Sequence, residues 1–254
     1  MDRLVYTAHM AQTEQRLDRQ ALTHELANVS TVGFKKALAV ANRSVRVEGE
    51  GFDTRFLPRA FTTNVVDMTE GTRMLTTRPL DIAMNGRTVL GVQSESGDLA
   101  FTRRGDLRVD SSGVLTTGSG RIVLDEKASP ISLPLGVKLN ITDDGRIMAS
   151  DPTAPIDGEV EVSRLMIKDT TGVDLFRRED GLFSPVRPIE GTADFEAGTG
   201  VASVTSGVLE GSNVSVVETM VKFIDYQRSF EMQTRVIKEM KENDASGASM
   251  MRMS

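Results

Sequence analysis

The chain has 254 residues, of which 39% are hydrophobic and 26% charged, with a net charge of -6; that length supports a sizeable core in one or two domains. The 30 basic and 36 acidic side chains are well mixed, so no basic stripe points to a nucleic-acid backbone and no polybasic cluster to an anionic membrane surface. Cysteine is absent, which excludes disulfides, thiol catalysis and Cys-ligated zinc.

No run of about 18 apolar residues is present, so the sequence predicts no membrane-inserted helix. The start, Met1 to Ala8, lacks a charged segment followed by an apolar one and does not read as a Sec-type signal peptide. Aromatics are 5% and Trp is absent, so any core rests on Val, Leu, Ile, Met and a few Phe.

In chain order, a first helix is predicted from about Asp2 to Val29. The stretch lacks Gly and Pro and is rich in Ala, Leu, Gln, Glu and Arg. Leu4, Ala8 and Ala11, then Leu22, Leu26 and Val29, fall on 3/4 spacing. Ser30-Thr31-Val32-Gly33 ends it, Gly33 being free to take positive φ. Residues 35–79 show little strict periodicity and read as an extended linker or irregular β structure. Residues 80–205 read as a β-rich outer domain. Leu80, Ile82 and Met84 alternate, and Asn85-Gly86 is a type I′ hairpin signal before Val89-Leu90-Gly91-Val92.

Further short strands are predicted near 99–103, 106–110, 114–117, 121–124, 137–141, 146–149, 160–167, 173–177 and 182–184. Many short strands punctuated by Gly turns argue for a small sandwich or barrel. A last helix starts after Gly211-Ser212-Asn213, with Ser215 and Glu218 as a capping box. Val217, Met220, Val221 and Ile224 follow the i, i+3, i+4, i+7 template, and Phe223, Phe230 and Ile237 repeat every seven residues. The pattern fades after Met240, leaving 246–254 as a flexible tail.

The chemical candidates are thin. His9 and His24 lie fifteen residues apart on one helix, roughly 22 Å along its axis, and cannot share a metal within one chain. Asp143-Asp144-Gly145 and Asp110-Ser111-Ser112-Gly113 lack the ligand spacing of a calcium loop and read as turns. No phosphate loop, dinucleotide fingerprint, nucleophile elbow or zinc-protease helix is present. No catalytic, cofactor-binding or metal-binding residue is therefore assigned, and no cofactor is expected. Periodicity leaves open whether the terminal helices pack on the β domain or on each other and on neighbouring copies. Broad apolar stripes favour association, which in repetition gives rings or filaments.

Five segments carry a resemblance to a known family. Leu26-Ala27-Asn28-Val29-Ser30-Thr31-Val32-Gly33-Phe34-Lys35 resembles the N-terminal signature of flagellar basal-body rod and hook proteins, with Val32 where the family commonly has Pro. Arg78-Pro79-Leu80-Asp81-Ile82-Ala83-Met84-Asn85-Gly86 and the stretch from Phe101 to Leu115 resemble two further family segments. Ser206 to Val214 resembles the stretch that precedes the C-terminal helix, and Tyr226 to Glu231 a motif within it. Among members, the length, the Thr77 to Asp81 form and the Met-Ser ending resemble the proximal-rod branch. A distal-rod or hook subunit is the nearest alternative, and a stand-alone ligand-binding β domain is the alternative from another class.

The resemblance implies an α+β fold. N- and C-terminal helices (1–34 and 212–245) pair as a coiled coil, with a mostly β middle domain inserted between them. It implies a non-catalytic structural subunit that assembles with copies of itself and other rod proteins into a helical tube. That tube lies in the periplasm, transmits torque from motor to hook and is needed for motility. Export through the flagellar type III apparatus is implied in the same way. The expected assembly interface comprises Leu4, Ala8, Ala11, Leu22, Leu26, Val29, Val217, Met220, Val221, Ile224, Phe230 and Ile237. The motif positions are Asn28, Ser30, Gly33, Phe34, Ser212 and Asn213. Phe34 and Leu38 resemble an aromatic-x-x-x-apolar export element, and read equally as linker anchors.

Overall fold

A computed structural model describes residues 16, 18–38, 41–46, 56–61, 65–150 and 159–252. The chain divides into two compact units. One comprises Met1–Ala27, Ala39–Thr63 and Ser215–Ser254, the other Asn28–Leu38 and Asn64–Val214.

The first unit holds a helix α1 over residues 18–27, an antiparallel pair β1 (Ala41–Arg46) and β2 (Phe56–Phe61), and the 37-residue helix α2 (Val216–Arg252). The Ser215 hydroxyl caps α2 by accepting the Glu218 amide at 3.4 Å, and Glu218 accepts from Lys222 at 2.7 Å one turn on. The helix continues to Arg252, past the point where apolar periodicity fades. Lys241, Glu242, Ala245, Ala248, Met250 and Met251 favour helix there while Asn243, Asp244, Ser246 and Gly247 do not, and the expected flexible tail from 246 is instead helical to Arg252.

The second unit is entirely β and irregular structure among its described residues. Its largest sheet has five antiparallel strands in the order β12 (Ile167–Asp169), β5 (Thr88–Gln93), β6 (Leu99–Thr102), β14 (Phe183–Pro185), β13 (Leu175–Arg177). A three-stranded sheet runs β11 (Val160–Arg164), β10 (Arg146–Ser150), β9 (Lys138–Ile141). Three two-stranded pairs complete it: β3 (Arg73–Leu75) with β16 (Val208–Glu210), β4 (Ile82–Met84) with β15 (Val204–Ser206), and β7 (Leu107–Val109) with β8 (Leu115–Thr117).

Two apolar clusters lie inside this unit. The larger gathers Ile82, Met84, Leu90, Val92, Leu107, Leu115, Val123, Ile141, Ile147 and Leu165, among others. The smaller centres on Phe101 and Phe195, whose rings meet edge to face at 4.8 Å. At about 1.5–3 kcal/mol for each large buried side chain, these clusters supply the main drive for folding the unit.

Several expectations are corrected. Asn85-Gly86 does not close a hairpin: it joins β4 to β5, which pair with β15 and with β6 and β12. Only Gly86 has positive φ there, at 55°, whereas a type I′ turn needs it at both central residues. The strand expected over 160–167 is two strands, β11 and β12, in different sheets. The segment between them buries Leu165 in the core, and its Met166 amide bonds to the Leu124 carbonyl.

The α+β fold with paired terminal helices is also overturned. The described residues are mostly β, with one long C-terminal helix, one short N-terminal one and no coiled coil between them. A coiled-coil seam buries its apolar knobs in a partner helix. Here Val217, Val221, Ile224 and Phe230 are exposed.

Candidate functional site

The motif residues converge on one joint in the β unit, where the segment Asn28–Leu38 lies against β16 and the residues after it. Gly33 donates its amide to the Glu210 carbonyl at 2.7 Å. Its φ is +69°, and a Cβ there would stand 2.3 Å from the Arg103 carbonyl oxygen. Only Gly satisfies both the conformation and this approach. Asn213 accepts the Lys36 amide at 2.7 Å and donates its side-chain amide to the Asp67 carbonyl at 3.0 Å and to Thr69 Oγ1 at 3.1 Å. The Asn213 amide in turn donates to the Phe34 carbonyl at 3.3 Å. Ser212 Oγ accepts from the Val214 amide at 3.2 Å, and Asn28 Oδ1 from Thr31 Oγ1 at 3.2 Å. Phe34 is half-buried, with the Arg177 guanidinium 4.3 Å from its ring centroid, a cation–π geometry. Ser30 is exposed. Leu38 is also exposed, although its amide donates to the Val65 carbonyl at 2.8 Å.

Beneath the joint lies a group of charges that sequence reasoning did not single out. Lys35, Arg103 and Glu210 are all buried. Glu210 Oε1 accepts from Lys35 Nζ at 2.6 Å and from the Gly71 amide at 2.9 Å. Glu210 Oε2 accepts from Arg103 Nε at 2.8 Å, with Nη2 at 2.6 Å. The remaining Arg103 donors reach the carbonyls of Met84, Gly86 and Thr88. Lys35 also donates to the Thr69 carbonyl. Every charge is thus hydrogen-bonded, the condition under which burial of ions is tolerated. Burial, and then the neighbouring Arg103 charge, hold the Lys35 ammonium below its ordinary range, with Glu210 opposing. Each residue stands inside a motif segment named above. The one available signal is a charge set among small and apolar neighbours; nothing local says that the three meet.

In the helical unit, α2 has two distinct faces. Thr219 is buried, and Phe223, Tyr226, Ser229, Gln233 and Ile237 are half-buried along one stripe. The Phe223, Tyr226 and Phe230 rings follow one another at 6.4 Å between centroids. At 100° per residue, Val217, Met220, Val221 and Ile224 fall on the opposite face. They are 73%, 51%, 52% and 48% exposed, an apolar patch over the first two turns. On α1, Leu22 and Leu26 are half-buried, as is Val29 just past its end. Leu4, Ala8 and Ala11 lie outside the described residues.

Among the described residues no group of three or more His, Asp or Glu side chains could hold a metal. Asp110 Oδ1 accepts from the amides of Ser112 and Val114 and from the Ser112 hydroxyl, which accounts for it as a turn residue. No described helix is long and apolar enough to cross a membrane.

Comparison with known proteins gives a consistent picture. Residues 205–250 match the family described as flagellar basal body rod FlgEFG protein C-terminal. Residues 83–149 match the flagellar hook protein FlgE/F/G D1 domain. The chain is 39% identical over 256 residues to the flagellar basal-body rod protein FlgF of Escherichia coli, covering 100% of both. It is 39% identical over 260 residues to that of Salmonella typhimurium, again covering 100% of both. The flagellar basal-body rod protein FlgG of Buchnera aphidicola from Acyrthosiphon pisum is 28% identical over 244 residues, covering 88% of this chain and 90% of the other.

Proposed function

Because the chain belongs to the flagellar basal-body rod protein family, we propose how its two units serve a rod. It is a structural subunit of the flagellar basal-body rod. Its resemblance to FlgF spans the full chain. The finer reading is a subunit of the proximal rod, in the periplasm, exported through the flagellar type III apparatus and without catalysis. It adds to a helical tube and passes torque toward the hook.

The observation that carries this reading is the apolar patch at Val217, Met220, Val221 and Ile224. It stays exposed in the isolated chain, on the face of α2 opposite the partly covered stripe. Exposed apolar surface of this kind marks association sites. A torque-bearing assembly needs many such contacts and no reactive group. Phe34 and Leu38 are the proposed export element, and the former is half-buried against Arg177 once the β unit has folded. A transporter reading this element would therefore need the Asn28–Leu38 segment free of the β unit.

Cross-linking mass spectrometry on purified basal bodies tests the reading. Lys222 and Lys238 on α2 are exposed and should cross-link to copies of this chain and to other rod proteins near the motor end. Cross-links confined to hook-side proteins would move the chain to the distal rod. Its absence from clean basal bodies would sink the rod reading.

A further inference from the structure

The receptor for Lys35 is complete without the segment that carries Lys35. Glu210 is oriented by the Gly71 amide and by Arg103, and Arg103 is fixed by the carbonyls of Met84, Gly86 and Thr88. The second acceptor, the Thr69 carbonyl, also lies outside Asn28–Leu38. Asn213, which receives the Lys36 amide, is held by Asp67 and Thr69. Glu210 and Asn213, the side chains that receive Lys35 and the Lys36 amide, are therefore positioned by the rest of the unit.

Besides the Lys35 bonds, the segment is held by separate backbone bonds at Gly33, Phe34, Lys36 and Leu38 and by the half-buried Lys36–Asp67 pair at 3.9 Å, and by no continuous ladder. It adds one isolated bridge, Ala37 with Val66, and no strand of a sheet. Ala37 and Lys36 are half-buried, Leu38 is exposed, and only Gly33 and Lys35 are buried.

We propose that Asn28–Leu38 is a detachable strap, latched by the Lys35 ammonium entering a preformed carboxylate site at Glu210, and that it opens while the β unit stays folded. The open state leaves the Glu210–Arg103 pair intact, one carboxylate against one guanidinium, and uncovers the Phe34 ring. Arg103 differs in kind from Lys35, because it ties β4, the turn after it and β5 to β16. Loss of Lys35 releases the strap; loss of Arg103 dissolves the unit. This asymmetry follows from what each cation holds together, Lys35 one segment and Arg103 three strands, and does not depend on what the strap's release serves.

Hydrogen exchange of the full chain reads it directly. In the wild type the Gly33 and Leu38 amides, bonded to the carbonyls of Glu210 and Val65, should exchange at least about tenfold faster than the sheet amides of Gly91 and Gln93, by local opening. In Lys35→Met the strap amides should accelerate by about tenfold more, with the sheet amides unchanged. Arg103→Met should accelerate both sets. Equal protection of strap and sheet in the wild type would overturn the proposal, and that comparison needs no variant to fold. A parallel rise of both sets in Lys35→Met would overturn it too.

Discussion

Lys36 and Asn213 stand 177 positions apart, yet the amide of one donates to the side-chain oxygen of the other at 2.7 Å. That bond ties the first segment of the β unit, Asn28–Leu38, to the last residues of its second segment, Asn64–Val214. The Asn213 side chain completes the tie from its other end, through Asp67 and Thr69. No shorter or longer side chain presents both an acceptor and a donor at this reach.

Asn213→Ala removes the acceptor for Lys36 and the donor to Asp67 and Thr69. We expect a loss of about 2 kcal/mol in the stability of the β unit, the usual cost of leaving partly buried backbone groups unpaired. Urea unfolding of wild type and variant measures it. A loss below about 0.5 kcal/mol would show that Asn213 only decorates the joint.

Gly33→Ala and Gly207→Ala form a matched pair. Both residues have positive φ, +69° and +73°, but a Cβ at Gly33 meets backbone at 2.3 Å whereas one at Gly207 meets nothing within 4 Å. Gly207→Ala should cost about 1 kcal/mol for conformation alone. Gly33→Ala should cost about 3 kcal/mol or more, since the Arg103 carbonyl cannot yield without moving the buried segment that follows β6. Equal losses would mean that the strap shifts freely to make room.

Acid sensitivity should involve Glu70. Its carboxylate accepts the Gly86 amide at 2.7 Å and pairs with Arg73 at 3.1 Å. The Gly86 amide first, then the Arg73 charge, draw its pKa below the ordinary 4.5. A depressed folded value means stabilisation that is complete above the unfolded value and lost as pH falls through the folded one. Glu70→Gln should therefore be less stable than wild type at neutral pH, and the gap should close below pH 4.5. Thermal unfolding across that range checks it, and a gap that persists at low pH would contradict the linkage.

Ile224→Asp places a charge in the exposed patch of α2, where Ile224 is 48% exposed. The isolated chain should keep its stability within about 0.5 kcal/mol, as for most surface changes. Incorporation into basal bodies, and with it motility, should fail, because the charge would be buried unpaired at a subunit contact. Normal swarming by cells carrying this variant would remove the patch from the assembly interface.

Much of the β unit could be read from the sequence, because its signals are local. The Gly-containing turns fall where Asp, Ser and Gly cluster, and β6 to β10 lie near their expected positions. The start of α2 was equally legible, since a cap is written in neighbouring residues. Strand pairing was not: β4 pairs with β15 and β3 with β16, partners more than a hundred residues away that no turn signal connects. Nor could the burial of Lys35, Arg103 and Glu210 be foreseen, because three isolated charges reveal their partnership only after the strands have met. The terminal helices show a different limit. Apolar spacing on α2 identified a face but not its occupant, and the stripe partly covered in the isolated chain includes Thr219, Ser229 and Gln233, which no hydrophobic template selects.

The joint at Gly33, Lys36, Glu210 and Asn213 closes the β unit on itself, because it fastens Asn28–Leu38 to the residues at the unit's far end in sequence. Its bonds involve none of the turns that punctuate the middle of the unit. Turns that take no part in the joint, such as Asp110–Gly113 or Asp125–Ser129, can lengthen at a closure cost of only about 0.6 kcal/mol for each doubling. The turns of the β unit are thus free to change in length from one relative to another while the bonds of this joint stay as they are.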